Sequence, residues 1–157
     1  MSSFLGNAPT PGVNTEAAVV NDGWFPDIDP ADLRKAARFD GTVTPERLNK
    51  AILFAVSSVN AELATWKASQ IAAGHEALAD VPAPSLGGLS TKVTLYTRAV
   101  YAAAQADLVE RYRDYDTTGA GGKQADAMDP RIAELRRDIR WAVSDLLGIR
   151  RTTVELI

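Results

Sequence analysis

The sequence predicts an all-α fold, a single small domain of about four helices, and three observations carry that expectation. A capping side chain precedes proline at Asp29-Pro30, Thr44-Pro45 and Asp129-Pro130. That order opens helices, because the side chain accepts an unpaired N–H and proline has no N–H to lose at the first helical position. Long stretches repeat apolar residues at steps of three and four, the period of one helix face. The 157 residues, 46% hydrophobic and 24% charged, suffice for one core and call for no second domain. Around a helical core at 23–148 we expect a mobile N-terminal arm, 1–22, and an extended, strand-forming C-terminal tail, 149–157.

The first helix is expected from Pro30 to about Phe39, closed by Asp40-Gly41. The second runs from Pro45 to about Ala73, with Gly74 as its left-handed cap. In it Leu48, Ile52, Ala55, Val56, Val59, Leu63 and Trp66 form the core stripe, while Leu53, Phe54, Ala61, Ala64 and Ile71 form a second, weaker apolar surface that something else must cover. His75 to Gly88, HEALADVPAPSLGG, has two prolines, a Gly-Gly and no sustained period, and reads as a connecting loop.

The third helix is expected from about Ser90 to Tyr115. Its middle, RAVYAAAQADLV, is apolar nearly all round, so it is the central element, with alanines allowing close approach of its neighbours. Residues 116–128 read as a flexible linker. The fourth helix, Pro130 to Leu147 with Gly148 as cap, aligns Ile132, Leu135, Ile139, Ala142, Val143 and Leu146 on one stripe. Its charges sort by sign: Arg136, Arg137 and Arg140 on one flank, Glu134, Asp138 and Asp145 on the other. Trp141 projects nearly opposite the stripe. The tail IRRTTVELI is rich in β-branched residues, no other segment has the character of a partner strand for it, and it is expected to pair with another chain.

Composition excludes several function classes. Seventeen basic residues against twenty acidic ones, a net charge of −3, create no field that draws the chain onto nucleic acid or an anionic membrane. The absence of cysteine removes disulfides, thiolate zinc sites and cysteine nucleophiles. The start, MSSFLGNAPTPGVNT, has no signal-peptide character, and apolar runs such as AILFAV at 51–56 are too short to span a membrane.

Motifs with chemical potential fail on context. YDTTGAGGKQAD at 115–126 resembles a phosphate-binding loop, but Thr117 stands where the first glycine is needed, Gln124 follows Lys123, and a helix precedes it in place of a strand. His75, the one histidine, sits at a helix end and reads as a solvated residue near the helix dipole. Asp22, Asp27 and Asp29 match no calcium loop, and Asp29 already caps a helix. We therefore expect no catalytic residue, no cofactor and no metal. Trp24 and Phe25 read as an anchor holding the N-terminal arm to the helices. Opposite-sign flanks suit head-to-tail contact between copies, which closes into a ring if the rotation allows.

Five segments taken in order, NDGWFPDID, DGTVTPERL, LVERYRDYDTT, ADAMDPRIAELRRDIRWAVSDLLG and TVELI, resemble the head-completion proteins of P2-like tailed bacteriophages. The resemblance covers about residue 21 to the C-terminus. It implies a virion protein without enzymatic activity, at the head–tail junction, made and assembled in the host cytoplasm. Such a protein would join the portal vertex after DNA packaging, stabilise the filled head and prepare it for tail attachment. Similar helical adaptors of other tailed phages form twelve-fold rings under the portal. The partners implied are the portal protein, further copies of the chain, tail-terminator or tail proteins, and packaged DNA only through the channel lumen, for which an acidic net charge is suited.

On that reading the subunit-interface candidates are Leu53, Phe54, Glu134, Arg136, Arg137, Asp138, Arg140, Trp141 and Asp145. The portal-binding candidates are Ile149, Arg150, Arg151, Thr152, Thr153, Val154, Glu155, Leu156 and Ile157, acting by strand addition. The competing reading is a DNA-binding helical phage protein, such as a small terminase subunit or a regulator. It needs a basic recognition helix, and the acids of the fourth helix count against it. A small helical enzyme is a further competitor, disfavoured by the lack of paired catalytic groups.

Overall fold

A computed structural model describes residues 16–39, 43–115 and 122–149. Four α-helices make up most of it: α1 Pro30–Ala37, α2 Pro45–Ala72, α3 Thr91–Tyr115 and α4 Gly122–Leu147. Between α2 and α3 lie a single 3₁₀ turn, Leu78–Asp80, and a two-stranded hairpin, β1 Ser85–Leu86 and β2 Leu89–Ser90. The all-helical expectation thus holds for the described residues except at this hairpin and at an isolated β-bridge between Val19 and Ile28.

Two of the three capped prolines open helices as expected. Asp29 accepts the Ala31 N–H at 2.8 Å and Thr44 accepts that of Arg47 at 3.4 Å, with proline as the first helical residue each time. The third does not. Pro130 lies inside α4, which starts at Gly122, so 122–128 are helical and not linker. The residues before it, KQADAM at 123–128, are mostly good helix formers. They extend the helix N-terminally past a proline that would otherwise have opened it. Residues 116–121, the rest of the expected linker, lie outside the described residues.

α1 also ends earlier than expected. Arg38 turns left-handed (φ 53°) and returns its N–H to the Arg34 carbonyl, so Phe39 leaves the helix and packs against the core. Asp40-Gly41, the expected stop, lies outside the described residues. At the end of α2, Gly74 takes φ 94° as expected of a cap.

α3 is the central helix, packed against α2 on one side and α4 on the other and touching α1. Its apolar circumference explains this: Tyr96, Ala99, Val100, Ala102, Ala104, Ala106 and Leu108 are all buried. The core stripe of α2 is buried from Leu48 to Leu63, with Trp66 partly covered; each fully buried Leu or Ile there contributes about 1.5–3 kcal/mol relative to exposure. α4 contributes Ile132, Ala142, Val143 and Leu146.

The N-terminal arm needs correction at its C-terminal end. Residues 16–22 are held to the core: Val19 and Ile28 form an antiparallel bridge (N···O 2.8 and 3.0 Å), both are buried, and Glu16 makes a two-pronged ion pair with Arg34 of α1. The acid's carboxyl is held below the usual carboxylate range, mainly by that hydrogen bond. Residues 1–15 lie outside the described residues.

Candidate functional site

The anchor predicted at Trp24-Phe25 sits in a closed loop. Its ends are the bridged Val19 and Ile28, and its interior is organised by Asn21 and Asp22. Asp22 Oδ1 accepts the Trp24 and Phe25 N–H groups at 3.0 Å each, while Oδ2 pairs with Lys67 of α2 at 2.6 Å. Burial alone would raise the Asp22 pKa, but the hydrogen bonds from Lys67 and the two amides outweigh it and keep the group below its ordinary value. Phe25 stacks on Tyr96 of α3 (centroids 4.5 Å, planes 8° apart), and Trp24 meets Trp66 of α2 edge-on at 5.9 Å. The Trp24 indole N–H donates to the His75 carbonyl at 3.0 Å, so the connecting loop after α2 is fastened to the same motif.

Beneath the stacked rings, three polar side chains close a ring of hydrogen bonds. Tyr96 O–H donates to Asn60 Oδ1 (2.6 Å), Asn60 Nδ2 donates to Asn21 Oδ1 (2.9 Å), and Asn21 Nδ2 donates to the Tyr96 oxygen (2.8 Å). Burial pushes the Tyr96 pKa up. Sequence reading passed over Asn21, Asn60 and Tyr96, which lie far apart in the chain and carry no local pattern. The three aspartates singled out as a metal candidate are structural: Asp27 accepts the Asn21 N–H at 2.8 Å, and Asp29 caps α1. Among the described residues no three His, Cys, Asp or Glu assemble as a metal site.

Two outward surfaces remain. On α2, Leu53, Phe54 and Ile71 are each about half exposed and Ala61 and Ala64 are exposed, which is the second apolar face read from the sequence. Phe54 is flanked by two cations, Lys50 at 5.9 Å and Arg111 of α3 at 5.7 Å from its ring centroid.

The second surface is the outer side of α4. Trp141 is 37% exposed, with the Arg137 guanidinium 4.9 Å above its ring. The sign-sorted flanks are partly used within the chain: Arg136 pairs with Glu110 and Asp138 with Arg98 at 3.4 Å, both partners on α3. These exposed pairs each contribute about 0–1 kcal/mol. Glu134, Arg137 and Arg140 remain outward and exposed, and Asp145 is partly covered. The sequence could assign charges to flanks of one helix; it could not show which of them a neighbouring helix would meet.

A third exposed feature was missed. Leu86 and Leu89 stand opposite each other on the hairpin, joined by Gly87 and Gly88 with φ of 59° and 81°. Gly-Gly between two apolar residues is a two-residue turn of the kind that demands positive φ at both positions, and it was available as a signal in the sequence. Of the tail candidates, Ile149 is exposed; Arg150, Arg151, Thr152, Thr153, Val154, Glu155, Leu156 and Ile157 lie outside the described residues.

The phosphate-loop lookalike can also be located. Gly122 and Lys123 are the first residues of α4, and the element before them is the helix α3. A strand there is what a phosphate-binding loop requires.

The family model described as phage head completion protein (GPL) matches residues 19–157. The head completion/stabilization protein of Escherichia phage P2 is 46% identical over 142 residues, which is 90% of this chain and 84% of that protein. No solved structure matches the chain.

Proposed function

The chain belongs to the phage head completion protein family, and from that premise we propose that it acts as a ring adaptor at the portal vertex. Its task there is to stabilise the DNA-filled head and to prepare the vertex for tail attachment. Copies pack side by side, the apolar face of α2 and the outer side of α4 supplying the contacts between them. Residues 149–157 reach the portal protein and add to it as a strand.

The observation that carries this reading is the α2 face: Leu53, Phe54 and Ile71, half exposed on a helix whose opposite stripe is already buried. In a monomer that apolar area stays in water; between copies it is removed from water at about 25 cal/mol per Å² before the cost of association. The basic flank of α4, with Arg137 and Arg140 outward, and its acidic flank, with Glu134 outward, are suited to meet head to tail between copies.

The experiment is a mixture of this protein with the portal ring of its phage, imaged in negative stain, using the full chain and a version ending at Gly148. Addition of a ring by the full chain and not by the shortened one supports the adaptor and the role of the tail together. Failure of both to bind, with DNA retarded at moderate salt instead, would replace this reading with the nucleic-acid one.

A further inference from the structure

Lys92 stands in the first turn of α3, where local rules disfavour it. The N-terminal end of a helix carries partial positive charge, so a cation there works against the dipole, and this turn has no acid to offset it. The end of α4 has the opposite fault. Its last turn has no basic residue and contains an acid, Asp145, beside the partial negative charge of the helix end.

The fold sets the two ends together. The Lys92 ammonium donates to the Leu146 carbonyl, one of the last four carbonyls of α4, which have no partner within the helix. The same ammonium lies 5.5 Å from the centroid of the Trp66 ring of α2. One side chain of α3 thus touches both neighbouring helices. Burial pulls the Lys92 pKa below the ordinary lysine value, and the charge-assisted hydrogen bond to Leu146 offsets the cost of keeping the charge there.

The chain itself closes the carbonyls on either side of this contact. Gly148 turns left-handed (φ 72°), its N–H returns to the Asp145 carbonyl at 3.2 Å, and the Ile149 N–H returns to that of Ser144 at 2.9 Å. Ile149, 57% exposed, follows Leu146 by three residues and leads out of the helix.

We propose that Lys92 is a positioning residue for the C-terminal segment. By holding the Leu146 carbonyl against α3 and α2, it fixes the turn at Gly148 and so the direction in which the chain leaves the helical body. Its consequence at the portal rests on the reading of residues 149–157 given above. An exit already fixed before docking lowers the ordering cost of that docking, so Lys92 acts on portal affinity without touching the portal.

The test compares the full chain with Lys92→Met, which keeps the stem and removes the charge, and with Lys92→Arg, which keeps a cationic donor. Amide hydrogen exchange at 145–149 is expected to be about tenfold faster in Lys92→Met, the effect of losing one hydrogen bond to a charged group, and close to the parent in Lys92→Arg. Exchange in the middle of α2 and α3 and the helical circular dichroism are expected to be unchanged in both. Parental exchange at 145–149 in Lys92→Met overturns the proposal. Equal losses in the two variants overturn it as well, because the charge is then not the cause, and so does a loss spread evenly over all four helices, which makes Lys92 a packing residue. Binding to the portal ring, measured on the same three chains, is expected to be about tenfold weaker for Lys92→Met. A parent chain that does not bind the portal removes the adaptor reading, while the exchange comparison still decides the role of Lys92.

Discussion

The rings of Phe25 and Tyr96 lie parallel, 4.5 Å apart, and bring the N-terminal loop onto the central helix. Below them the Tyr96 hydroxyl both donates to Asn60 and accepts from Asn21, so one residue of α3 fixes a residue of α2 and a residue of the loop at once. Removing the hydroxyl and keeping the ring separates the two roles. Tyr96→Phe leaves Asn60 Oδ1 and one Asn21 N–H without that partner and should destabilise by about 1–3 kcal/mol. Phe25→Ala, which removes a buried aromatic, should cost about 3–5 kcal/mol. Urea unfolding measures both; a Tyr96→Phe chain as stable as the parent would mean that the network contributes nothing net.

The ion pair between Glu16 and Arg34 gives the acid limb of stability a specific source. The Glu16 carboxyl is held below its ordinary value in the folded state, chiefly by the hydrogen bond from Arg34. A depressed acid stabilises fully above its unfolded pKa and loses that contribution as pH falls through the folded one. Glu16→Gln should therefore be less stable than the parent at pH 7, by about 1 kcal/mol, and the two should converge as pH falls through the folded pKa. Denaturation midpoints measured from pH 7 to pH 3 decide it; a gap that is constant with pH would rule out the charge as the cause.

Neighbouring residues of α2 should respond in opposite ways to the same substitution. Ile52 is fully buried and Leu53 is half exposed. Ile52→Asp puts an unpaired carboxylate in the core and should cost more than about 4 kcal/mol, enough to unfold a marginal domain. Leu53→Asp should change monomer stability by no more than about 0.5 kcal/mol while preventing ring formation on the portal. Thermal melts paired with images of the portal mixture test both halves.

Charge reversal on α4 separates contacts within the chain from contacts between copies. Arg136 faces Glu110 of α3, so Arg136→Glu sets two acids together and should lower monomer stability by about 0.5–1 kcal/mol. Arg137 sits over Trp141 on the outer side. Arg137→Glu should leave the helical circular dichroism spectrum intact and weaken ring assembly, in a salt-dependent way. Loss of helicity in the Arg137 variant would show that this residue serves the fold.

What the sequence determined by itself is the part of the protein governed by local rules. The capped starts of α1 and α2, the core stripes of α2 and α4, the apolar circumference of α3 and the absence of a phosphate-loop context all follow from residue types at fixed spacing, because helix geometry turns spacing directly into a face. Local rules also failed in identifiable places. Pro130 satisfied the rule for a helix start, yet the helix formers before it extend α4 back to Gly122. Gly87-Gly88 satisfies the rule for a hairpin turn as well as that for loop punctuation, and the structure takes the hairpin.

Only the tertiary structure decided which side chains meet. Asn21, Asn60 and Tyr96 come from three separate segments and find one another because the loop closes at Val19 and Ile28 and lays Phe25 on α3. Arg136 and Asp138 turn to α3 while Arg137 stays outward, a choice set by the packing of the two helices and not by charge. Lys92 reaches the end of α4 because α3 and α4 run in opposite directions. Hydrogen bonds and ion pairs require atoms within a few ångströms, and sequence distance has no bearing on that separation once the chain is folded.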